Sequence, residues 1–535
     1  MSDKNKILLI TSGAYVNSEM SSDFGLTPTS FLPTGHKRLI ERQLEIIKDF
    51  KATVIITLPE DFKLLKRDVK LLSENKVIIY RTDSNLSLNK SILSFMNEYE
   101  KKYSIKKLYI LHGDTSFEAL EQKTDLLYYG ETNSFYKWGY LKNIIGRTIT
   151  SKNHKQFVAA GYFTFSNPSF FKQKLSENNL FETSLTSYNK IINFKIRFQK
   201  SWLDFGHSNL YFKSKASLNV TRSFNQVTMN LNYIIKSSTN INKIESEYNW
   251  FKQLPEDFSI YKPSVWGFKK DKHESSYKIE FLGAPTLQEK LVFGNLPDFS
   301  FFNSINQIFN FIKKSRQVTF ENLSDEYTFN LLNELYIGKT KKRILDFSIT
   351  SGFDINKKIT INDKSYPSLQ TFSSQVLMIL NKGLMNSELK KLTIMHGDLC
   401  ASNIITDNRS QNIKLIDPRG GLDTLFKSKN NISGDFRYDI AKLGHSLVGN
   451  YDYIVTGFYS LKKLNKALNF KFNLHHELKK SLKDFYFYKV REMNLNEKFI
   501  NASIVNLFIS MLPLHSDDED RQIALLLNAY KLFYR

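Results

Sequence analysis

The chain opens on short, continuous apolar runs separated by amphipathic stretches. Residues 6–11 (KILLIT), 53–58 (TVIITL), 76–80 (KVIIY) and 107–111 (KLYIL) predict buried strands. Between them, residues 38–50 put Leu39, Gln43, Ile46, Ile47 and Phe50 on one helical face, and residues 92–103 behave alike. Strand–helix–strand alternation with apolar strands predicts a mostly parallel sheet covered on both faces. Residues 156–166 (QFVAAGYFTFS) predict a strand pair or a bulged strand. The texture changes near residue 215. Residues 217–233 alternate polar and apolar around a turn at 223–226, which predicts a hairpin, with residues 233–236 closing its second strand. Residues 242–254 predict a helix that stops before Pro255. Helical periodicity dominates residues 300–395 and 440–535, with two short strands flanking Asn403 and Asp417. A small β-rich lobe therefore precedes a large helical one.

Composition narrows this picture. At about 150 residues per domain, 535 residues allow about three domains. Apolar residues at 41% and charged residues at 24% exclude wholesale disorder. The lone cysteine, Cys400, excludes an intrachain disulfide and a cysteine-based zinc site. The balance of 75 Lys+Arg against 53 Asp+Glu gives a net charge of +22. That surplus is mostly Lys in a chain also rich in Asn, Ile and Phe, the pattern of lysine spread over solvated faces. No basic run interleaved with aromatic residues appears, so no nucleic-acid partner is expected. The charge is compatible with a weak attraction to an anionic membrane surface. No run approaches the roughly 18 apolar residues of a membrane span. The start, MSDKNKILLIT, is too briefly apolar for a signal peptide and reads as a first strand, so a cytoplasmic location is expected.

Residues 394–404 read IMHGDLCASNI, and Asp417 follows Asn403 by fourteen positions within KLIDPRGG. Phosphoryl transfer to an alcohol needs a carboxylate for the hydroxyl proton and oxygen ligands for Mg2+ across the triphosphate. Asp398 supplies the first, and Asn403 and Asp417 the second. This pattern resembles the aminoglycoside phosphotransferase and choline kinase family, with its H-G-D-x-x-x-x-N followed by I-D. The resemblance implies a bilobal, protein-kinase-like α+β fold that uses ATP. It assigns Lys236, ending a strand, and Glu247, eleven residues on, to the pair that orients the phosphates; Glu245 is a less favoured partner. Residues 277–287 (YKIEFLGAPTL), with Glu280 and Leu282, would form the hinge beside adenine, and Asp439 would brace the catalytic loop. Cys400 reads as a packed residue rather than a nucleophile. The hairpin segment 222–226 (RSFNQ) lacks the glycine that lets a backbone cradle phosphate, which leaves Arg222 or Asn225 to make such contacts.

In the first half, Asp114 follows a strand within HGDTSF and Asp204 lies within SWLDFGHSNLY. Carboxylates gathered at the carboxyl ends of parallel strands can hold Mg2+ on a nucleoside triphosphate. Gly113-Asp114 and the later W-x-D-x-G of residues 202–206 resemble the sugar-nucleotidyltransferase superfamily. That resemblance implies a Rossmann-like (GT-A-like) α/β domain. Ser12 and Gly13 would then sit in the nucleotide loop after the first strand, with Lys37 of FLPTGHKRL meeting the triphosphate. The superfamily's G-x-G-[ST]-R loop is reduced here to Ser12-Gly13-Ala14-Tyr15, without its arginine, so Lys37 or Arg38 would supply the charge. His36, His112 and His207 lack zinc spacing and read as structural or phosphate-contacting. The repeat of His-Gly-Asp at 112–114 and 396–398 reads as coincidence.

Together these features predict a nucleotidyltransferase-like domain over 1–213, a kinase-like N-lobe over 214–284 and a helical C-lobe over 285–535. The joint resemblance implies a bifunctional enzyme. One half would phosphorylate a small alcohol (sugar, polyol or amino alcohol) with ATP. The other would transfer a nucleotidyl group, CMP favoured, from a second NTP to the new phosphate, as in capsule or surface-glycan precursor synthesis. The alternative is an active kinase joined to a catalytically inactive transferase-like scaffold or sensor. His515 and Asp517, in SMLPLHSDDED, are candidates to approach the acceptor; alternatively, residues 517–520 simply begin the next helix.

Overall fold

The computed structural model describes residues 4–134, 136–148, 155–218, 226–229, 233–320, 324–385, 391–419, 432–464, 467–473 and 480–534. By contact the chain divides into Met1–Leu218 with Phe293–Asn295, and Asn219–Val292 with Leu296–Arg535. The division falls at the end of the helix Ser208–Leu218, past the 213 boundary expected from sequence.

Among the described residues the first unit is built on nine strands: β1 (Lys6–Thr11), β2 (Thr53–Pro59), β3 (Ile78–Thr82), β4 (Lys107–His112), β5 (Thr115–Ser116), β6 (Leu126–Thr132), β7 (Gln156–Phe165), β8 (Lys195–Phe198) and β9 (Leu203–Asp204). Seven form one sheet, ordered β3-β2-β1-β4-β7-β6-β8. β3, β2, β1 and β4 run parallel, whereas β7 is antiparallel to both neighbours. Alternation along β1 explains the double cover. Ile7 and Leu9 enter a core with Phe95 and Phe163, while Leu8 and Ile10 enter another with Ile40 and Leu44. β3 begins two residues later than the apolar run suggests, because Lys76 takes a left-handed backbone (φ 55°) that closes the preceding helix. The helix expected at 92–103 runs Leu88–Tyr99, started by the Ser87 side chain accepting from Lys90 N.

β7 is one bulged strand. Its register on β6 shifts between Leu127 and Tyr129, where Gly161 takes φ +86°. A Cβ there would lie 3.0 Å from Thr115 Cγ2 and 3.1 Å from His112 Cβ. The bulge thus backs the loop that carries Asp114.

The second unit begins with an antiparallel sheet ordered β10-β11-β13-β12, from β10 (Gln226–Met229), β11 (Tyr233–Ser238), β12 (Val265–Lys270) and β13 (Ser275–Glu280). The tip of the expected hairpin, with Arg222 and Asn225, lies outside the described residues. The helix Ile241–Gln253 starts where Asn240 accepts from Lys243 N (3.1 Å) and packs against this sheet. It buries Ile244, Glu247, Trp250 and Phe251. Further on, the helices Phe436–Leu447 and Glu497–Met511 are buried around nearly their whole circumference and form the centre of the large core.

Helices dominate the described residues of 300–395 and 440–535, with short strands between them that the periodicity does not show. β14 (Thr319–Phe320) pairs with β17 (Leu392–Ile394), and β15 (Ile359–Ile361) pairs with β16 (Lys364–Tyr366). Residues 404–415 form the hairpin β18 (Ile404–Asp407) and β19 (Asn412–Leu415), and β20 (Ser433–Gly434) adds to β17. β21 (Tyr459–Leu464) and β22 (Ala467–Phe472) complete the sheet of β15 and β16. Strands of two or three residues are too short to show a period of two. The β15–β16 turn is set by Asn362 and Asp363, both left-handed (φ 47° and 64°). Among the described residues no helix is long and apolar enough to cross a membrane.

Gly161→Ala places a side chain in left-handed backbone against His112, so it should lower the stability of the first unit by about 1–2 kcal/mol. Urea unfolding followed by far-UV circular dichroism measures this, and an unchanged midpoint would contradict the role given to the bulge.

Candidate active sites

In the first unit β4 delivers His112, Gly113 and Asp114, and β9 delivers Asp204. β5 and β9 pair Thr115 with Asp204, and Phe205 N donates to Asp114 O (2.8 Å). The two acidic residues, ninety positions apart in sequence, therefore share one edge. Gly206 leaves room for the Asp114 carboxylate, since a Cβ there would lie 2.4 Å from Asp114 Oδ2 and force it to shift. Asp204 Oδ1 accepts from Gly206 N (3.0 Å) and His207 N (3.2 Å), and its Oδ2 lies 3.1 Å from His207 Nδ1. Burial opposes the His207 imidazolium, but Asp204 and Asp114 raise its pKa above the ordinary value. Burial raises the Asp114 carboxyl against the pull of His112, and Asp204 adds to the rise.

Asp114 lies between two cavities. One, of about 170 Å³, is lined by Ser12, Gly13, Thr57, Ser91 and His112. The other, of about 790 Å³, is lined by Tyr136, Trp138, Trp202, Asp204 and His207. Tyr136 stacks on the His207 ring (4.3 Å, 27°), and Trp138 lies 4.4 Å from it. His207 thus belongs to the site, which its sequence spacing alone did not signal.

Of the expected loop and lysine residues, Ser12 and Gly13 line the smaller cavity with Asp114. The Ser12 hydroxyl accepts from Ser30 N (3.1 Å), and Gly13 is small because Thr82 Cγ2 would sit 2.5 Å from a Cβ. The structure does not bring Lys37 to Asp114 and Asp204. Its ammonium pairs with Glu45 on the helix Leu39–Ile47, and it lines neither cavity. Arg38 is buried, donating to Asp68 Oδ1 and Phe31 O, so its charge is spent on the fold.

In the second unit the segment that carries Asp398 and Asn403 lies between β17 and β18, held from below by Asp439. This buried carboxylate accepts from His396 N (2.6 Å) and Gly397 N (2.8 Å). Burial pushes the Asp439 carboxyl up to about 7, and the two amides oppose that rise. The His396 ring packs edge-on against Trp250 (5.3 Å), whose Nε1 donates to Met395 O (2.8 Å). His396 Nε2 faces Ile416 O (3.1 Å) and its Nδ1 accepts from Asp398 N (3.2 Å), an arrangement that fixes a neutral ring with the proton on Nε2.

One cavity of about 500 Å³ is lined by Lys236, Glu247, Asp398, Asn403, Asp417 and Arg419. Lys236 Nζ donates to Glu247 Oε1 and to Asp417 Oδ1, the latter at 2.6 Å. Burial opposes the Lys236 charge, but Asp417 and Glu247 hold its pKa well above the ordinary value. Burial pushes Glu247 up to about 7 against the attraction of Lys236. Glu245 instead pairs with Lys270. Burial would raise Asp398, but Lys442 (2.8 Å) and Arg419 (3.2 Å) hold it well below the usual carboxylate range.

Asn403 Nδ2 donates to Asp398 O (2.9 Å), which orients its amide and leaves Oδ1 to Ser402 Oγ. Asn403 Oδ1 and the free oxygen of Asp417 are hard donors that suit Mg2+. Asp114 and Asp204 suit it equally in the first unit. Among the described residues no group of three His, Cys, Asp or Glu could hold a metal alone. Mg2+ characteristically completes its shell with phosphate and water, so two donors per site fit it.

Glu280 and Leu282, the expected hinge residues, stand apart from the cavity lining. Glu280 Oε2 accepts from Ser264 N (3.0 Å), which fastens β13 to the approach of β12, and Leu282 is half-buried in the following segment. That segment joins the loop hairpin where Thr406 N donates to Pro285 O (2.9 Å). His515 meets Tyr451 OH (3.4 Å), and Tyr451 stacks on His445, one turn beyond Lys442. Asp517 is exposed and pairs with Arg521. Asp518 caps the helix Glu519–Phe533.

Burial holds the His396 imidazole down at about 4 against the attraction of Asp398. The unfolded chain therefore binds a proton between about pH 6.5 and 4 that the folded chain refuses. Stability present above that window is lost as pH falls through it, by up to about 3 kcal/mol. Urea titrations at several pH values should show this loss, and it should be smaller in His396→Gln.

No protein-family model matches the chain, and no curated protein matches it. Solved structures similar to it include an aminoglycoside phosphotransferase APH(4)-Ia mutant in complex with AMP-PNP and hygromycin B. It is 10% identical and covers 56% of this chain and 85% of its own, with a TM-score of 0.34. HddC from Yersinia pseudotuberculosis is 17% identical over 40% of this chain and 100% of its own, with a TM-score of 0.29. The inositol-1-phosphate CTP transferase from T. maritima is 10% identical over 42% of this chain and 100% of its own, with a TM-score of 0.28.

Proposed function

We propose that this chain is a bifunctional enzyme that phosphorylates a small alcohol with ATP and then links a nucleotidyl group to the resulting phosphate. The observation that carries the reading is the convergence of Lys236, Glu247, Asp398, Asn403 and Asp417 on one cavity. These residues span 181 positions of sequence between Lys236 and Asp417. Lys236, fixed by Glu247, orients the triphosphate. The acceptor hydroxyl oxygen bonds to the γ-phosphorus, its proton passes to Asp398, and ADP leaves. A strong base is not required, because the transferred group in such reactions is loosely bonded at the transition state. Mg2+ on Asn403 and Asp417 would supply neutralisation of the phosphate charge.

In the first unit, Asp114 and Asp204 are the proposed Mg2+ ligands for a second NTP, with CTP favoured. The phosphate made in the second unit attacks the α-phosphorus and pyrophosphate leaves. The cavity lined by Tyr136, Trp138 and Trp202 suits the organic part of the acceptor. An activated building block for capsule or surface glycan, made in the cytoplasm, is the product this scheme implies. Lys37, turned to Glu45, and the packed Gly13 favour a second reading, in which the first unit is an inactive scaffold or sensor.

A panel of alcohols and sugars with ATP and each other NTP, followed for ADP and pyrophosphate separately, tests both readings. Asp398→Asn should lower ADP formation by about a hundredfold or more. Asp204→Asn and Gly206→Ala should abolish pyrophosphate release and spare ADP formation. Pyrophosphate that never appears with any NTP would leave the scaffold reading standing.

A further inference from the structure

The carboxylate that takes the acceptor proton sits in a cluster of cations. Lys442 is 3% exposed and its Nζ lies 2.8 Å from Asp398 Oδ1. Arg419 reaches Asp398 Oδ2 from the cavity side (3.2 Å), with 48% of its side chain exposed. Lys339 lies 3.4 Å from Tyr438 OH and 5.7 Å over that ring. Arg343, one turn later on the helix Lys339–Ser351, donates through Nη1 to Ser510 O (2.9 Å). Tyr438 favours the Lys339 ammonium, but burial, Arg343, Arg419 and Lys442 together hold its pKa below the ordinary value. Among the described residues the carboxylates facing them are Asp398 and Asp346. His445 and His515 on the neighbouring elements are held neutral by burial.

Four cations facing two carboxylates leave a surplus of positive charge beside the attacking hydroxyl. Partly desolvated like charges repel, and an incoming anion relieves that cost. Arginine is suited to carboxylate and phosphate through paired N–H donors. We propose that the alcohol phosphorylated in the second unit carries its own negative charge, a carboxylate or a phosphate, that seats among Lys339, Arg343 and Arg419. This rests on the kinase reading above and narrows its acceptor to acidic alcohols, against aminoglycoside-like or choline-like cations. Drawing Arg419 toward the acceptor also frees an oxygen of Asp398 for the hydroxyl proton. A carboxylate-bearing acceptor would hand the first unit a single phosphomonoester, and a phosphate-bearing one would become a bisphosphate.

The test uses the full chain, ATP and matched alcohols: glycerol, glycerate and glycerol phosphate; glucose, glucuronate and glucose 6-phosphate; and choline. The acidic members should exceed their neutral parents in kcat/KM by about tenfold or more. Comparing the carboxylate with the phosphate identifies the preferred anion. Lys339→Gln and Arg343→Gln should each raise KM for the acidic acceptor by about tenfold with a smaller change in kcat, and Arg343→Lys should recover part of the loss. Both side chains are half-buried, and thermal melts check that the variants fold. Equal or better turnover of glycerol, glucose or choline would overturn the proposal and leave the kinase reading intact. If no alcohol gives Asp398-dependent ADP, the kinase reading fails. Calorimetry of glycerol phosphate against the ADP-bound chain then decides the inference alone: binding lost in the Lys339→Gln/Arg343→Gln double variant supports it, and binding that is absent or unaltered overturns it.

Discussion

An ionised carboxylate taken out of water loses several kcal/mol of hydration unless fixed donors replace it. Both sites of this chain depend on how that cost is met. Asp439 meets it with two loop amides, Asp398 with Lys442 and Arg419, and Asp417 with Lys236. Asp204 meets it with the amides of Gly206 and His207 and the His207 ring. Each compensation also sets a position. The amides that satisfy Asp439 belong to the loop it braces, and the lysine that satisfies Asp417 is the one proposed to face phosphate.

The tripeptide His-Gly-Asp shows how context divides one sequence into two structures. At 396–398 the glycine takes a left-handed backbone (φ 79°), and its amide turns down onto Asp439. At 112–114 the glycine is needed for space, since a Cβ would lie 2.6 Å from Thr11 O. His396 is neutral in a closed network, whereas His112 borders both cavities of its unit. The shared letters carry no shared geometry, as their separate contexts in sequence imply.

Much of the site around Asp398 is legible because its groups occur at short, fixed spacings on or beside regular elements. Asp398 and Asn403 lie on one loop, and Lys236 and Glu247 on a strand and the helix after it. The surroundings of Asp114 and Asp204 are less legible. Lys37 and Arg38 adjoin each other, yet Arg38 is buried against Asp68 and Lys37 is drawn to Glu45 one helical stretch away. Sequence spacing cannot tell which of two basic neighbours the core will claim.

The sequence by itself determined the order of elements, the two motif sets and the double-sided cover of the first sheet, because local periodicity and spacing encode these directly. It also determined that cations outnumber anions, but not where the surplus acts. Only the tertiary structure brought Arg419 and Lys442 onto Asp398 and set Lys339 against Tyr438, one turn before Lys442, since residues a hundred positions apart acquire a common field only when packing brings them together. It likewise decided the short strands of the second unit and the bulge at Gly161. Those depend on long-range pairing, which leaves too little periodic signal in two or three residues to be read from the chain.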